Sequence, residues 1–375
     1  MKKLLVCALA ILAIGNLKSQ IAEFNYIEIG NTDEDRLCQT SLADMDGDND
    51  LDLVVGASAQ TIWWFENIDG KNWKIHTLGE DALTDRGGFA ADIDGDGHID
   101  QLSGGTWYKN NGNSPPEFER FENGCIYAYD NVAVDVNGDG QLELVSTSEQ
   151  DGTYLYFFNP KPGKDWKGVK LGDGVSGGLW PKGYGDIDND GNIDIVCSNV
   201  WFENEDGSGK SWKMHKNLPF AQPGGKFPYS TRTFVTDMDG DGDGDIFQAQ
   251  ANSESGSVAW LENKDGRGIT WYIHPIGTET VQDLHSLCVA DFDNDGDLDV
   301  FTGGGPMKKD LYERCFIFEN PGDEEKSWIK HEVLFNKECI DPVAGDVDGD
   351  GDIDILGKAW KGSTTVYLLE NTLIK

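Results

Sequence analysis

The feature that most constrains this chain is a nine-residue acidic pattern that occurs seven times, most cleanly as Asp346-Val347-Asp348-Gly349-Asp350-Gly351-Asp352-Ile353-Asp354. Acids stand at positions 1, 3, 5 and 9, with Gly at 6. That arrangement converges several oxygens on one hard divalent cation and allows a sharp turn where a side chain would collide. The candidate ligands are Asp44, Asp46, Asp48 and Asp52, then Asp92, Asp94, Asp96 and Asp100, then Asp135, Asn137, Asp139 and Glu143. They continue with Asp186, Asp188, Asp190 and Asp194, with Asp237, Asp239, Asp241 and Asp245, with Asp291, Asp293, Asp295 and Asp299, and with Asp346, Asp348, Asp350 and Asp354. Of these 28 positions 26 are Asp, and Asn137 and Glu143 keep an oxygen donor, so the third copy is expected to bind more weakly. Solvated turns explain an Asp-Gly pair. They do not explain acids at four fixed offsets with an apolar residue such as Leu51, Ile99 or Ile353 just before the last. The pattern predicts calcium in the loops. Helical periodicity is missing on both sides, which excludes EF-hands, and β-branched and aromatic residues flank the loops instead.

The loops recur at intervals of 48, 43, 51, 51, 54 and 55 residues, a period that signifies a propeller or a solenoid. Each repeat has an apolar stretch entering the loop and a β-rich run leaving it, as in Leu51-Asp52-Leu53-Val54-Val55-Gly56. An aromatic stretch of the type Trp64-Phe65-Glu66-Asn67 follows, and then a run such as Trp73-Lys74-Ile75-His76. Four strands per repeat make a propeller blade. The last repeat stops at Asn371 without a fourth strand, and Phe24-Asn25-Tyr26-Ile27-Glu28-Ile29-Gly30 aligns with residues 73–79. The expectation is an all-β, seven-bladed β-propeller over residues 21–375, closed by the first strand, behind a signal peptide at residues 1–20.

The signal expectation rests on Lys2 and Lys3, an apolar run from Leu4 to Ile14, and small residues at Ala13 and Gly15. That run is too short to span a bilayer, so the chain is expected to be secreted or periplasmic and monomeric, with no membrane span. The formal charge of −37 disfavours a nucleic-acid partner, and seven divalent ions would lower it to −23. Six cysteines follow residue 20 at spacings that match no zinc pattern. Cys38 and Cys339 precede their loops at similar distances, which leaves open a bridge between neighbouring repeats or buried thiols.

These loops and aromatic runs resemble the FG-GAP or VCBS repeat family, the calcium-loop propeller repeats of integrin heads and of many secreted bacterial proteins. The Trp-Phe-Glu-Asn and Trp-x-x-His elements also resemble the propeller portions of secreted sugar-modifying proteins, including dehydratases and lyases. The resemblance implies fold and calcium more strongly than activity.

Because His76, His215, His274 and His331 share one position in the repeat, they are read as structural. A functional residue should break the repeat. Just before each loop the residues are small, and five or six places earlier the equivalence disappears, at Arg86, Tyr129, Asp130, Trp180, Arg232, His285 and Asp341, with Lys182 nearby. These positions, with loops 222–229 and 303–314, are expected to ring one mouth of the channel. The chemistry points to an acidic, uronate-containing polysaccharide. Arg86, Arg232 and Lys182 would neutralise the carboxylate, His285 or Tyr129 would take the C5 proton, and Trp180 would stack on a sugar, giving β-elimination. Asp130 with Asp341 would serve hydrolysis instead. The alternative is a non-catalytic mouth that binds glycan or protein.

Overall fold

The computed structural model describes residues 21, 23–148, 150–173, 177–221, 230–251, 256–281, 284–304, 313–322 and 326–374. The expected signal segment, loop 222–229 and most of loop 303–314 lie outside them. The described residues contain no helix. Their strands form seven antiparallel sheets over residues 37–79, 89–122, 130–172, 184–215, 231–281, 288–335 and 343–371, which are blades 1 to 7 from here on. The seven-bladed propeller expected from the repeats is the fold.

Burial explains why the middle strands of blade 1, Asp52–Ala57 and Ile62–Asn67, are largely apolar. In blade 1, Leu53, Val55 and Phe65 pack with Val347, Leu356 and Leu368 of blade 7, whereas Val54, Ile62 and Trp64 pack with Tyr108 of blade 2. Successive side chains point to opposite faces of a strand, and here both faces are covered by a neighbouring blade. The same sharing recurs at every junction: seven apolar clusters, each built from two adjacent blades, run around the ring. The outermost strands are largely exposed instead, as Trp73–Gly79 is, because one face meets solvent.

Closure follows the expected register. Phe24–Asn31 pairs antiparallel with Thr365–Asn371, setting Phe24 opposite Asn371 and Ile27 opposite Leu368. The first strand is therefore the outer strand of blade 7, and the ring leaves no inner edge unpaired between start and end.

Small residues before the loops let neighbouring inner strands approach. A Cβ on Gly345 would lie 2.7 Å from Leu42 Cδ2 of blade 1, and one on Gly185 would lie 2.5 Å from Val235 Cγ1 of blade 5. One departure from four strands per blade occurs near the axis, where Pro181–Lys182 adds to blade 5 in parallel with Thr231–Thr236. The six cysteines are all unbridged. Cys38 donates to the Asp85 carbonyl, and Cys339 lies beside Cys315, so the bridge between Cys38 and Cys339 does not form.

Candidate functional site

Each acidic loop is wound by its first carboxylate. Asp44 accepts the Gly47 and Asp48 amides on Oδ1 and the Asn49 amide on Oδ2, and Asp92, Asp237 and Asp346 repeat this in whole or part. The sixth position is left-handed throughout, with φ of 78° at Asn49 and 86–100° at the six glycines, which is why only Gly or Asn stands there. The ninth carboxylate reaches across the blade. Asp52 takes the Met45 amide on one oxygen and the Asn67 amide on the other, and the same two bonds recur at Asp194, Asp245, Asp299 and Asp354.

The donors left over face one point. Carboxylate oxygens of Asp44, Asp46 and Asp48 lie within 4.8 Å of one another, as do those of Asp186, Asp188 and Asp194, of Asp237, Asp239 and Asp245, and of Asp291, Asp293 and Asp295. Asp293 is fully buried, yet its Oδ2 has no hydrogen-bond partner, and Asp46 Oδ1 and Asp188 Oδ1 are likewise unpartnered. Burial pushes Asp52 and Asp354 up to about 7 and Asp194 and Asp299 up to about 8, although two backbone amides oppose the shift in each case. A buried oxygen without a donor and a carboxylate without a countercharge are both satisfied by a cation at the centre of the loop, so the residues fit calcium.

The loops are also tied to their neighbours, a feature that sequence reasoning missed. In five blades the Asn that ends the aromatic third-strand motif donates its Nδ2 to the carbonyl of the second loop residue in the preceding blade: Asn67 to Val347, Asn110 to Met45, Asn204 to Val136, Asn263 to Ile187 and Asn371 to Phe292. Its backbone amide meets the ninth carboxylate of its own blade. One Asn thus links two consecutive loops. Blade 3 has Pro160 at this position and lacks the link.

The recurrent histidines are structural, as their equivalence suggested. His76, His215, His274 and His331 bond through Nε2 to Glu66, Glu203, Glu262 and Glu319 at 2.5–2.7 Å, and the first three stack on Trp64, Trp201 and Trp260.

Of the residues that break the repeat, Arg86, Arg232 and Asp341 converge on one another. Arg232 Nε is 2.5 Å from Asp341 Oδ1, and Arg86 Nη1 is 3.3 Å from Asp341 Oδ2, so blades 5, 7 and 2 meet on one carboxylate. Burial would raise this carboxyl, and the two guanidinium groups together with Lys358 hold it below its ordinary value. Asp130 accepts the Asn131, Leu179 and Trp180 amides, and burial raises it despite Arg232. His285 is 1% exposed, and its carbonyl accepts the Asp341 amide. Trp180 is also buried. The Tyr129 ring lies 5.8 Å from the Arg86 guanidinium and is half-buried, as is Lys182, whose ammonium sits 5.1 Å over the Phe234 ring and is lowered by desolvation.

Lys358 completes this centre and was not foreseen. It is fully buried and donates to Thr40 Oγ1 and to the carbonyls of Ile340 and Asp341. A signal existed: four residues after the loop, the other blades carry Gly56, Gly104, Thr147, Ser198, Ala249 and Gly303. Beyond the network, Tyr127 is exposed beside Asp85 on the same face, and a shallow opening is lined by Asp33, Glu34 and Asp35.

No curated protein sequence matches this chain. Among solved structures, the fold is similar to BBS1N, crystallised in complex with ARL6DN, at 11% identity and a TM-score of 0.52 over 92% of this chain and 98% of that one. A looser likeness is to AofleA from Arthrobotrys oligospora, at 14% identity and a TM-score of 0.42 over 84% and 90% of the two chains. The FG-GAP-like repeat matches residues 44–103, 135–197 and 237–302, about half of the sequence, each match opening on the first Asp of a loop. With those loops, the aromatic runs and the closed ring in agreement, the chain belongs to the FG-GAP-like repeat family.

Proposed function

We propose that this chain is a non-catalytic recognition propeller, stiffened by calcium in its loops, that binds a glycan or protein surface at the channel mouth. One observation carries this reading: Arg86 and Arg232 are already paired with the carboxylate of Asp341 inside the ring. The two cations that a uronate would need are occupied and buried, and a substrate carboxylate would have to displace a paired internal one. Acids at Asp33, Glu34, Asp35 and Asp85 on that face further disfavour a polyanion. A seven-sheet ring with exposed Tyr127 and half-exposed Tyr129 suits contact with a neutral sugar face or a protein. The structurally similar BBS1N is itself seen in complex with ARL6DN, which adds a precedent for the fold and nothing about this chain's partner. Export to a calcium-rich compartment is part of the same proposal and rests on Lys2, Lys3 and the apolar run after them.

The second reading is β-elimination of a uronate polymer. Half-buried Tyr129 and Lys182, the latter with its ammonium destabilised by burial, favour it. One assay separates the two. Uronate polysaccharides incubated with the protein in calcium should give no rise in the ultraviolet absorbance of an unsaturated product, while a glycan or protein ligand is retained and lost on Tyr127→Ala. Absorbance that rises, and that is abolished by Tyr129→Phe, would establish the lyase instead.

A further inference from the structure

Blade 2 departs from the others at one position beside its loop. In the third strand the residue before the motif Asn is Glu66, Glu203, Glu262, Glu319 or Glu370 in five blades and Asn159 in blade 3, but Lys109 in blade 2. The Glu side chains stand next to the third loop position of their own blades, Glu66 near Asp46, Glu203 near Asp188, Glu319 near Asp293 and Glu370 near Asp348. Lys109 occupies the same place with the opposite charge. Its ammonium binds the carboxylates of Asp94 and, at 2.5 Å, Asp96, the third and fifth loop positions.

The exchange extends to the outer strand. Where Trp64 faces His76 in blade 1, Tyr108 faces Arg120 in blade 2, and Arg120 turns away to Glu122 and the Asp81 carbonyl. The Glu–His pair that holds the acid beside the loop in blades 1, 4, 5 and 6 is therefore replaced as a unit. The other acids of the second loop keep their backbone contacts, except that the Trp107 indole N–H, in place of the amide of the second loop residue, donates to Asp100 Oδ2. Asp92 accepts the Gly95 and Gly97 amides, and Asp100 accepts the Asn110 amide. Asp94 Oδ1 keeps a buried oxygen without a partner. The donors are those of the other loops; what differs is the ammonium placed among them.

We infer that Lys109 is an internal cation for the second loop, filling by side chain the charge role that calcium fills elsewhere, so that this loop takes calcium last and most weakly. The inference rests on the calcium reading of the loops. A divalent ion entering here must first displace an ammonium from two carboxylates and then remain near it. The blade would hold its shape when calcium is scarce, while the loops with Glu beside them depend on the ion.

The test is a calcium count on the full chain, stripped with chelator and dialysed against buffered free calcium, by mass spectrometry and calorimetry. Lys109→Glu, which restores the residue of the other blades, is expected to hold one more ion than the parent at limiting calcium. Lys109→Gln is expected to gain tenfold or more in affinity at the weakest site. Adding Asp94→Asn to Lys109→Glu should remove the extra ion. Identical counts and affinities in the parent, Lys109→Glu and Lys109→Gln would overturn the inference while leaving the calcium reading intact. No bound ion in any of the proteins would overturn both.

Discussion

Arg232 Nε meets Asp341 Oδ1 at 2.5 Å, joining the inner strand of blade 5 to the segment before blade 7 at the centre of the ring. Arg86 shares that carboxylate from blade 2. Taking the acid away leaves two buried guanidinium groups without their ion-pair partner, which is far costlier than losing an exposed pair. Asp341→Ala should therefore lose about 3–5 kcal/mol in urea unfolding at fixed calcium. The folded value of Asp341 lies below the unfolded one. Its contribution is thus complete above the ordinary carboxylate range and is lost as pH falls below about 4. Asp341→Asn should show a shallower acid limb than the parent.

Lys358 gives a prediction at the other end of the pH scale. Burial lowers its ammonium to about 8, against the pull of Asp341 and Cys38, with Cys339 and Arg86 also facing it. The folded chain releases this proton before the unfolded chain does, so this group's term in stability rises between about pH 8 and 10.4. Cys38, pushed up to about 12 by the same burial, acts in the opposite sense and is common to both proteins compared. The parent should gain about 1–3 kcal/mol across that interval relative to Lys358→Met, measured by denaturant midpoints. Parallel curves for the two proteins would show that Lys358 does not titrate there.

The interblade Asn makes a prediction about the ring itself. Asn263 is buried and its Nδ2 bridges the Ile187 and Gly244 carbonyls, so Asn263→Ala leaves two acceptors unsatisfied. The expected loss is about 1–3 kcal/mol, together with faster hydrogen exchange at the blade 4 and blade 5 loops. The replacement Asn159→Ala, beside Pro160 in blade 3, where the link is missing, should change stability by less than about 0.5 kcal/mol.

Much of this architecture is legible from residues alone, because the repeat presents the same physics seven times. The left-handed turn demands Gly or Asn, the loop demands acids, and residues 24–30 match residues 73–79 because both are outer strands with one wet face. The equivalence of the four histidines likewise shows that they are structural, and each is found on its Glu. The centre is harder, since it is made by residues that break the repeat. Spacing puts Arg86, Arg232 and Asp341 near the axis but does not say that they satisfy one another. Contacts between residues 109 and 255 positions apart decide that. Charge alone counts Arg86, Arg232 and Lys182 as three cations, whereas the fold pairs the first two with Asp341 and sets Lys182 over the Phe234 ring. Lys358 is hard to see because it breaks the repeat after its loop rather than before it, and Lys109 because its neighbours Trp107, Tyr108 and Asn110 fit the motif.

Removal of the first strand tests closure. Without Phe24–Asn31, Thr365–Asn371 becomes an exposed edge, and the apolar side chains under Ile27 and Ile29 lose their cover. A chain lacking residues 24–31 should melt lower and elute partly as dimers or larger species through pairing of that edge. Addition of the free peptide should restore the monomer.

In the proposed account, cations in the acidic loops hold each loop, and the strands that it joins, in the folded arrangement. Thermal unfolding with excess chelator and with millimolar calcium tests it most directly, since a ligand that binds only the folded ring stabilises it by mass action, about 2.7 kcal/mol for each site at a hundredfold excess over Kd. The account predicts a melting temperature lower by about 10 °C or more in chelator, fully restored by calcium. Superimposable melts in chelator and in calcium would contradict it.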